Sequence, residues 1–300
     1  MCSSDLDTAA FPVRKKDTVI ASRYPFLPLG ISASRRRSFA FPESLHTPLA
    51  SPAGMCYNVS ERKLWEDTMR FYGFQKMTLL DFPGKVACTL FTGGCNMRCP
   101  FCHNALLVTE LEQGNDTWDE AEVLTFLRRR KGLLDGVCVT GGEPTLQPEL
   151  APFLRRVKEL GYAVKLDTNG TRPEVLRALV GEGLVDYVAM DVKNSPARYA
   201  LTAGVPAAEL SGVFTSMDFL LSGTVDYEFR TTVVRELHTE ADIAAIADRI
   251  AGARRYFLQN FKDSGSLVGA GTYTAHTPQT LAAMCKIACD KGIPTELRGV

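Results

Sequence analysis

VACTLFTGGCNMRCPFCHN (residues 86–104) decides the fold. An apolar run ends in two glycines, and three cysteines follow at C-x3-C-x2-C spacing, Cys95, Cys99 and Cys102. The run reads as a buried strand, so the cysteine loop leaves its carboxyl end, where functional loops collect. Gly93 and Gly94 let the backbone turn sharply and approach a bulky inorganic group.

Further short apolar runs repeat the pattern: GVCVTGG (136–142), YAVKLDTNG (162–170), YVAMDVK (187–193), YEFRTTVV (227–234) and RYFLQNF (255–261), with TELRGV as a short last strand. Helix-length segments lie between them. Leu146, Leu150, Phe153, Leu154 and Val157 fall on one helical face, as do Ile243, Ile246, Ala247 and Ile250. Apolar strands alternating with amphipathic helices imply parallel strands covered by crossovers. Six βα units are fewer than the eight of a closed barrel, which leaves an open or partial (β/α) barrel, or a doubly wound sheet. In either, ligands gather at the carboxyl ends of the strands.

Those ends are polar. Gly141, Gly142, Glu143 and Pro144 close the second strand, exposing carbonyls and a carboxylate that can accept from a ligand ammonium. Asp167, Thr168 and Asn169 close the third, Asp191 and Lys193 the fourth; together they could hold a ligand carboxylate, a ribose or a monovalent cation. Arg230 lies within the fifth strand and needs an anionic partner if buried. Gln259 and Asn260 close the sixth, as mouth residues or caps of the next loop.

Three thiolates within eight residues suit an iron–sulfur cubane better than zinc, whose ligands usually come as separated pairs; His103, next to Cys102, is poorly placed to share one ion with it. Three ligands leave one iron of a cubane open to a small molecule. Cys88 and Cys138 read as small core residues, and Cys285 and Cys289 share an apolar helix face with Leu281, Met284 and Ala288.

The three cysteines with Phe101 before the last resemble the signature of radical S-adenosylmethionine (SAM) enzymes, and GGEP resembles the motif that binds the SAM amino group in that family. The resemblance covers roughly residues 71–300 and implies a partial (β/α)6 TIM-like barrel, one [4Fe–4S] cluster on Cys95, Cys99 and Cys102, and SAM on its open iron. No second cluster is expected, since no further module of closely spaced cysteines occurs. FQKMTLLDFPGKVACTLFTGGCNMRCPFCHN, GGEP, DTNG and DVK together resemble anaerobic ribonucleoside-triphosphate reductase activating proteins, and His103-Asn104 belongs to that likeness. It implies reductive cleavage of SAM to methionine and a 5′-deoxyadenosyl radical, which takes a hydrogen atom from a glycine of a partner glycyl-radical enzyme, with a flavodoxin or ferredoxin as electron donor. A radical SAM enzyme acting on a small molecule, such as a deazapurine-forming one, and a non-enzymatic iron–sulfur protein are the alternatives.

Composition sets the outer bounds. The 300 residues, 45% of them hydrophobic, can bury a sizeable core. Lys plus Arg and Asp plus Glu each total 34, so no global field calls for nucleic acid or an anionic membrane. Nine cysteines, unevenly spread over so long a chain, point to a reducing compartment, and the chain reads as soluble and cytoplasmic. Residues 1–68, rich in Ser, Pro and Arg, read as a disordered extension or a start assigned too far upstream of Met69; Arg35, Arg36 and Arg37 faintly resemble a transit peptide that the prolines would interrupt. Residues 69–300 carry the barrel.

Overall fold

The computed structural model describes residues 68–300, apart from 110, 112–116, 264, 266 and 300. The reading of the N-terminal extension therefore falls outside the described residues, save for Thr68. Met69 is buried, and its backbone N–H donates to Glu120 Oε2 at 3.2 Å.

Two short strands, β1 (Arg70–Phe71) and β4 (Trp118–Asp119), pair antiparallel beside the main sheet. The main sheet begins with β2 (Gly73–Thr78), antiparallel to β3 (Ala87–Thr92). Then come β5 (Gly136–Gly141), β6 (Ala163–Thr168), β7 (Tyr187–Asp191), β8 (Asp226–Val233), β9 (Tyr256–Asn260) and β10 (Thr295–Arg298). Their spatial order is β2-β3-β5-β6-β7-β8-β9-β10, and every neighbouring pair from β3 onward is parallel. This is the partial barrel: six full strands with crossovers, a short seventh, and among the described residues no pairing of β10 back to β2. The lead-in Thr78–Val86, with Pro83-Gly84, joins the antiparallel pair; Gly84 there has a φ of 70°.

Strand alternation sends successive side chains to opposite faces. Val137, Val139, Val164, Leu166, Val188, Met190 and Phe229 face the helices and form the main core. The residues between them, including Cys138, Lys165, Asp167, Tyr187, Asp191, Glu228 and Arg230, share the barrel interior. At its base Phe82, Ala87, Cys138 and Tyr187 form a small separate apolar cluster. Cys88 and Cys138 are thus core residues of the two different clusters, as their surroundings in sequence suggested.

The covering helices follow their apolar periodicity, except that Leu146 falls in the short 3-10 turn Pro144–Leu146 ahead of its helix and is only partly buried. In Leu150–Glu159, Leu150, Phe153, Leu154 and Val157 are all buried, each such side chain contributing about 1.5–3 kcal/mol by leaving water. Glu240–Arg249 starts from a reciprocal cap: Asp242 N–H donates to Thr239 Oγ1 at 3.3 Å, and Thr239 N–H to Asp242 Oδ2 at 2.9 Å. Pro278–Asp290 packs Leu281, Met284 and Ala288 inward. Cys285 and Cys289 are partly buried on its flank, each thiol near the Thr295 carbonyl. Among the described residues no helix is long and apolar enough to cross a membrane.

Candidate active site

The carboxyl ends of the strands converge on one cavity of about 230 Å³. Cys95, Cys99, Phe101 and Cys102 line it from the loop after β3, and Gly141, Gly142 and Glu143 from the turn after β5. Asp167, Thr168, Asn169, Asp191, Lys193 and Arg230 complete the wall from β6, β7 and β8. Arg230 thus faces the barrel interior. Gln259 lines the mouth, whereas Asn260 caps the next loop, exchanging hydrogen bonds with the backbone of His276 at 3.2 and 3.3 Å.

The cysteine loop is clamped on several sides. Glu143 N–H donates to Gly94 O at 2.8 Å, Gln147 Nε2 to Gly93 O at 2.8 Å, and Asn104 Nδ2 to Gly141 O at 3.2 Å. A β-carbon on Gly142 would stand 1.9 Å from Gly94 O, so only glycine permits this approach. On the far side Arg98 N–H donates to Ala203 O at 2.9 Å, and the next residue, Gly204, takes a φ of 66° against the Arg98 carbonyl. Gly269 N–H donates to Pro100 O at 2.9 Å.

Glu143, expected to receive a ligand ammonium, is engaged within the protein. Its Oε1 accepts from Thr145 N–H at 3.1 Å, from the Thr145 hydroxyl and from Thr168 Oγ1 at 2.7 Å, and its Oε2 accepts from Asn169 N–H at 2.6 Å. Four donors fill about the four lone-pair sites of a carboxylate. Burial pushes its pKa up and these bonds pull it back. The side chain fastens the turn after β6 to the turn after β5.

Below the mouth lies a charged line. Arg230 donates to Asp167 Oδ2 at 3.1 Å and to Asp191 Oδ1 at 3.0 Å; Lys193 donates to Asp191 Oδ2 at 3.0 Å, and Lys165 to Asp167 Oδ1. Burial alone would raise both aspartate pKa values; Arg230, helped by Lys165 at Asp167 and by Lys193 at Asp191, holds them below the usual carboxylate range. Burial would lower Lys193, but Asp191 and then Cys99 hold it above its ordinary value. Three cations against two carboxylates leave this wall ready for an anionic ligand group.

Lys165 and Thr232 were not singled out from the sequence. Both follow from alternation, since Lys165 stands two residues before Asp167 and Thr232 two after Arg230, on the same face. Met97 also lines the cavity, and no local signal marks it.

The donor set fits a multi-iron cluster. Among the described residues no Cys, His, Asp and Glu side chains are grouped as a single ion would need, yet three cysteines share one cavity wall. Cys95 Sγ accepts from Met97 N–H at 3.3 Å and from Asn169 Nδ2 at 3.8 Å, contacts that favour a thiolate. Burial pushes the Cys99 thiol up to about 12 and Cys95 upward, and the charge of a bound metal would favour the thiolate there. His103 stacks on Phe261, ring centroids 5.3 Å apart.

The model of the Radical SAM superfamily matches residues 89–206. A provisionally named glycyl-radical enzyme activating enzyme of Methanocaldococcus jannaschii is 34% identical over 194 residues, 63% of this chain and 79% of that protein. The chain belongs to the radical SAM superfamily. The cofactors of a radical SAM protein are a [4Fe–4S] cluster and SAM, and the cavity residues fit both: Cys95, Cys99 and Cys102 would hold the cluster, and the glycine turn with the charged line would hold SAM. The pyruvate formate-lyase-activating enzyme of Clostridium pasteurianum is 33% identical over 142 residues, 42% of this chain and 52% of that enzyme. The 7-carboxy-7-deazaguanine synthase of Koribacter versatilis is 28% identical over 155 residues, 51% of this chain and 63% of that enzyme. In fold, a radical SAM methyltransferase of Sphaerobacter thermophilus superposes with a TM-score of 0.58 at 14% identity, over 74% of this chain and 68% of that one.

Proposed function

We propose that this radical SAM enzyme installs a glycyl radical on a partner enzyme, of the anaerobic ribonucleoside-triphosphate reductase kind. The observation that carries the reading is the convergence of the three cysteines, the Gly141-Gly142 turn and the Asp167–Arg230–Asp191–Lys193 line on one cavity. Likeness to two activating enzymes supports the class of partner, and the motif set from FQKMTLLDFPGK to DVK supports the reductase. When bound, the cofactors supply one-electron cleavage of SAM to methionine and a hydrogen-abstracting 5′-deoxyadenosyl radical.

The chain's own residues do the rest by position. The carbonyls of the glycine turn receive the ligand ammonium; Lys193 and Arg230 face its carboxylate; Asn169 and Met97 N–H steady Cys95. No side chain is asked to act as general acid or base. The walls exclude water and stray hydrogen donors. A flavodoxin or ferredoxin delivers the electron, in a reducing cytoplasm.

Likeness to 7-carboxy-7-deazaguanine synthase favours a second reading, chemistry on a small molecule. The test is anaerobic: reconstituted protein, dithionite, SAM and a candidate reductase whose glycines carry deuterium. The proposal expects a protein radical in the partner, seen by electron paramagnetic resonance, and deuterium in 5′-deoxyadenosine. Deoxyadenosine formed without either would move the assignment to the small-molecule reading.

A further inference from the structure

Lys165 lies on β6 two residues before Asp167, so both side chains turn into the barrel. It is 2% exposed, and a lysine so buried is costly without an anion beside it. Its ammonium donates to Asp167 Oδ1, while Asp167 Oδ2 takes Arg230. Arg230 continues to Asp191, and Asp191 to Lys193. The five side chains form one line of alternating sign with a lysine at each end. Lys193 is the end that faces the cavity; Lys165 stands beneath it, outside the residues that line this cavity. The nearby Glu228 is engaged by Arg298 at 3.0 and 3.1 Å and by the Tyr187 hydroxyl at 3.0 Å, so it does not compete for Lys165.

We propose that Lys165 is a positioning residue, an internal counter-cation whose hold on Asp167 keeps Arg230 stretched across two carboxylates and Lys193 available to the ligand. The proposal rests on the reading of this cavity as a SAM site. A guanidinium can fork both oxygens of one carboxylate. With Oδ1 released, Arg230 would close onto Asp167 alone, and Asp191 would be left to Lys193 as a tight pair turned away from the ligand. Lys165 thus acts on SAM without touching it. Removing its side chain to the β-carbon also leaves a space bounded by a carboxylate oxygen, which a small cation can enter.

The test is equilibrium dialysis of SAM against the reconstituted holoprotein, titrated with ammonium chloride at fixed ionic strength, with tetramethylammonium as a cation too large for the space. Wild type should bind SAM and ignore ammonium. Lys165→Ala should weaken binding roughly tenfold with iron per chain unchanged, and ammonium but not tetramethylammonium should restore it. Lys165→Met, whose stem fills the space, should show the loss without rescue. Unchanged affinity in either variant overturns the proposal. So does a loss in Lys165→Ala that ammonium does not repair, since a purely structural lysine behaves that way. Should Lys165→Ala fail to fold, Lys165→Met against wild type still decides, because full affinity in that variant excludes a positioning role. Wild-type protein that keeps its cluster and binds no SAM would instead sink the cofactor reading, and this proposal with it.

Discussion

Arg298 meets Glu228 through both terminal nitrogens, at 3.0 and 3.1 Å, and so ties the shortest strand of the sheet to the barrel interior. Glu228 is 1% exposed, and a carboxylate so placed cannot turn to water when its partner is removed. Arg298→Ala should cost about 3 kcal/mol, the low end for breaking a buried pair because the arginine end is partly solvated. The urea midpoint measures it; a shift worth less than about 1 kcal/mol, the scale of an exposed pair, would mean that solvent already screens the contact.

Glu143 is the most heavily bonded carboxylate of the cavity, with four donors converging on it. Glu143→Ala strands those donors and should destabilise the fold by about 3–5 kcal/mol, with loss of SAM binding as the two turns part. Glu143→Gln keeps one oxygen and should fall between alanine and wild type. Both are read by thermal unfolding of the cluster-free chain, where a stability equal to wild type would contradict the bracing role.

Acid sensitivity should trace to Asp167 and Asp191. Their folded pKa values lie below the usual carboxylate range, so the folded state binds fewer protons than the unfolded one there. Their contribution to stability is present above about pH 4 and is lost as pH falls through the folded values. In Arg230→Met the guanidinium that supports both is removed while Lys165 and Lys193 remain, so both values should rise. The variant should therefore lose less stability than wild type as pH falls below about 4. Urea midpoints across that range compare the two slopes, and parallel slopes would show that Arg230 does not govern the pair.

Iron retention should separate the cysteines cleanly. Cys95→Ala, Cys99→Ala or Cys102→Ala should each leave the reconstituted chain without a stable cluster, whereas Cys285→Ala and Cys289→Ala should keep wild-type iron and sulfide. A Cys285 or Cys289 variant that lost iron would show that the helix Pro278–Asp290 takes part in holding metal.

The parallel strands were legible because each carries apolar residues on the face that meets the helices, and the site was legible because every such run ends in polar residues. What escaped has physical reasons. β2 carries exposed Gln75, Lys76 and Met77 on the sheet's edge, so the run GFQKMT has no apolar signature. Lys165 and Glu228 sit inside VKLDT and YEFRT, where apolar neighbours on the opposite face mask them; counting by twos from Asp167 and Arg230 would have found both. The bracing of the cysteine loop by Ala203 and Gly204 joins segments a hundred residues apart. Nothing local in either segment announces it.

The division of each strand into a helix-facing and an interior-facing set limits how such a chain can change length. Inserting a single residue midway along β6 would exchange its faces downstream, carrying Leu166 into the charged interior and Asp167 against the helices. A deletion in β8 would do the same to Phe229 and Arg230. The connections carry no such parity, so residues can be added or removed between Phe261 and Thr277 where the contacts of Gly269 with Pro100, Thr274 with Glu236 and His276 with Asn260 are kept. Length variation should therefore gather in the segments between strands, while the strands themselves tolerate exchange of residues and not a change in their number.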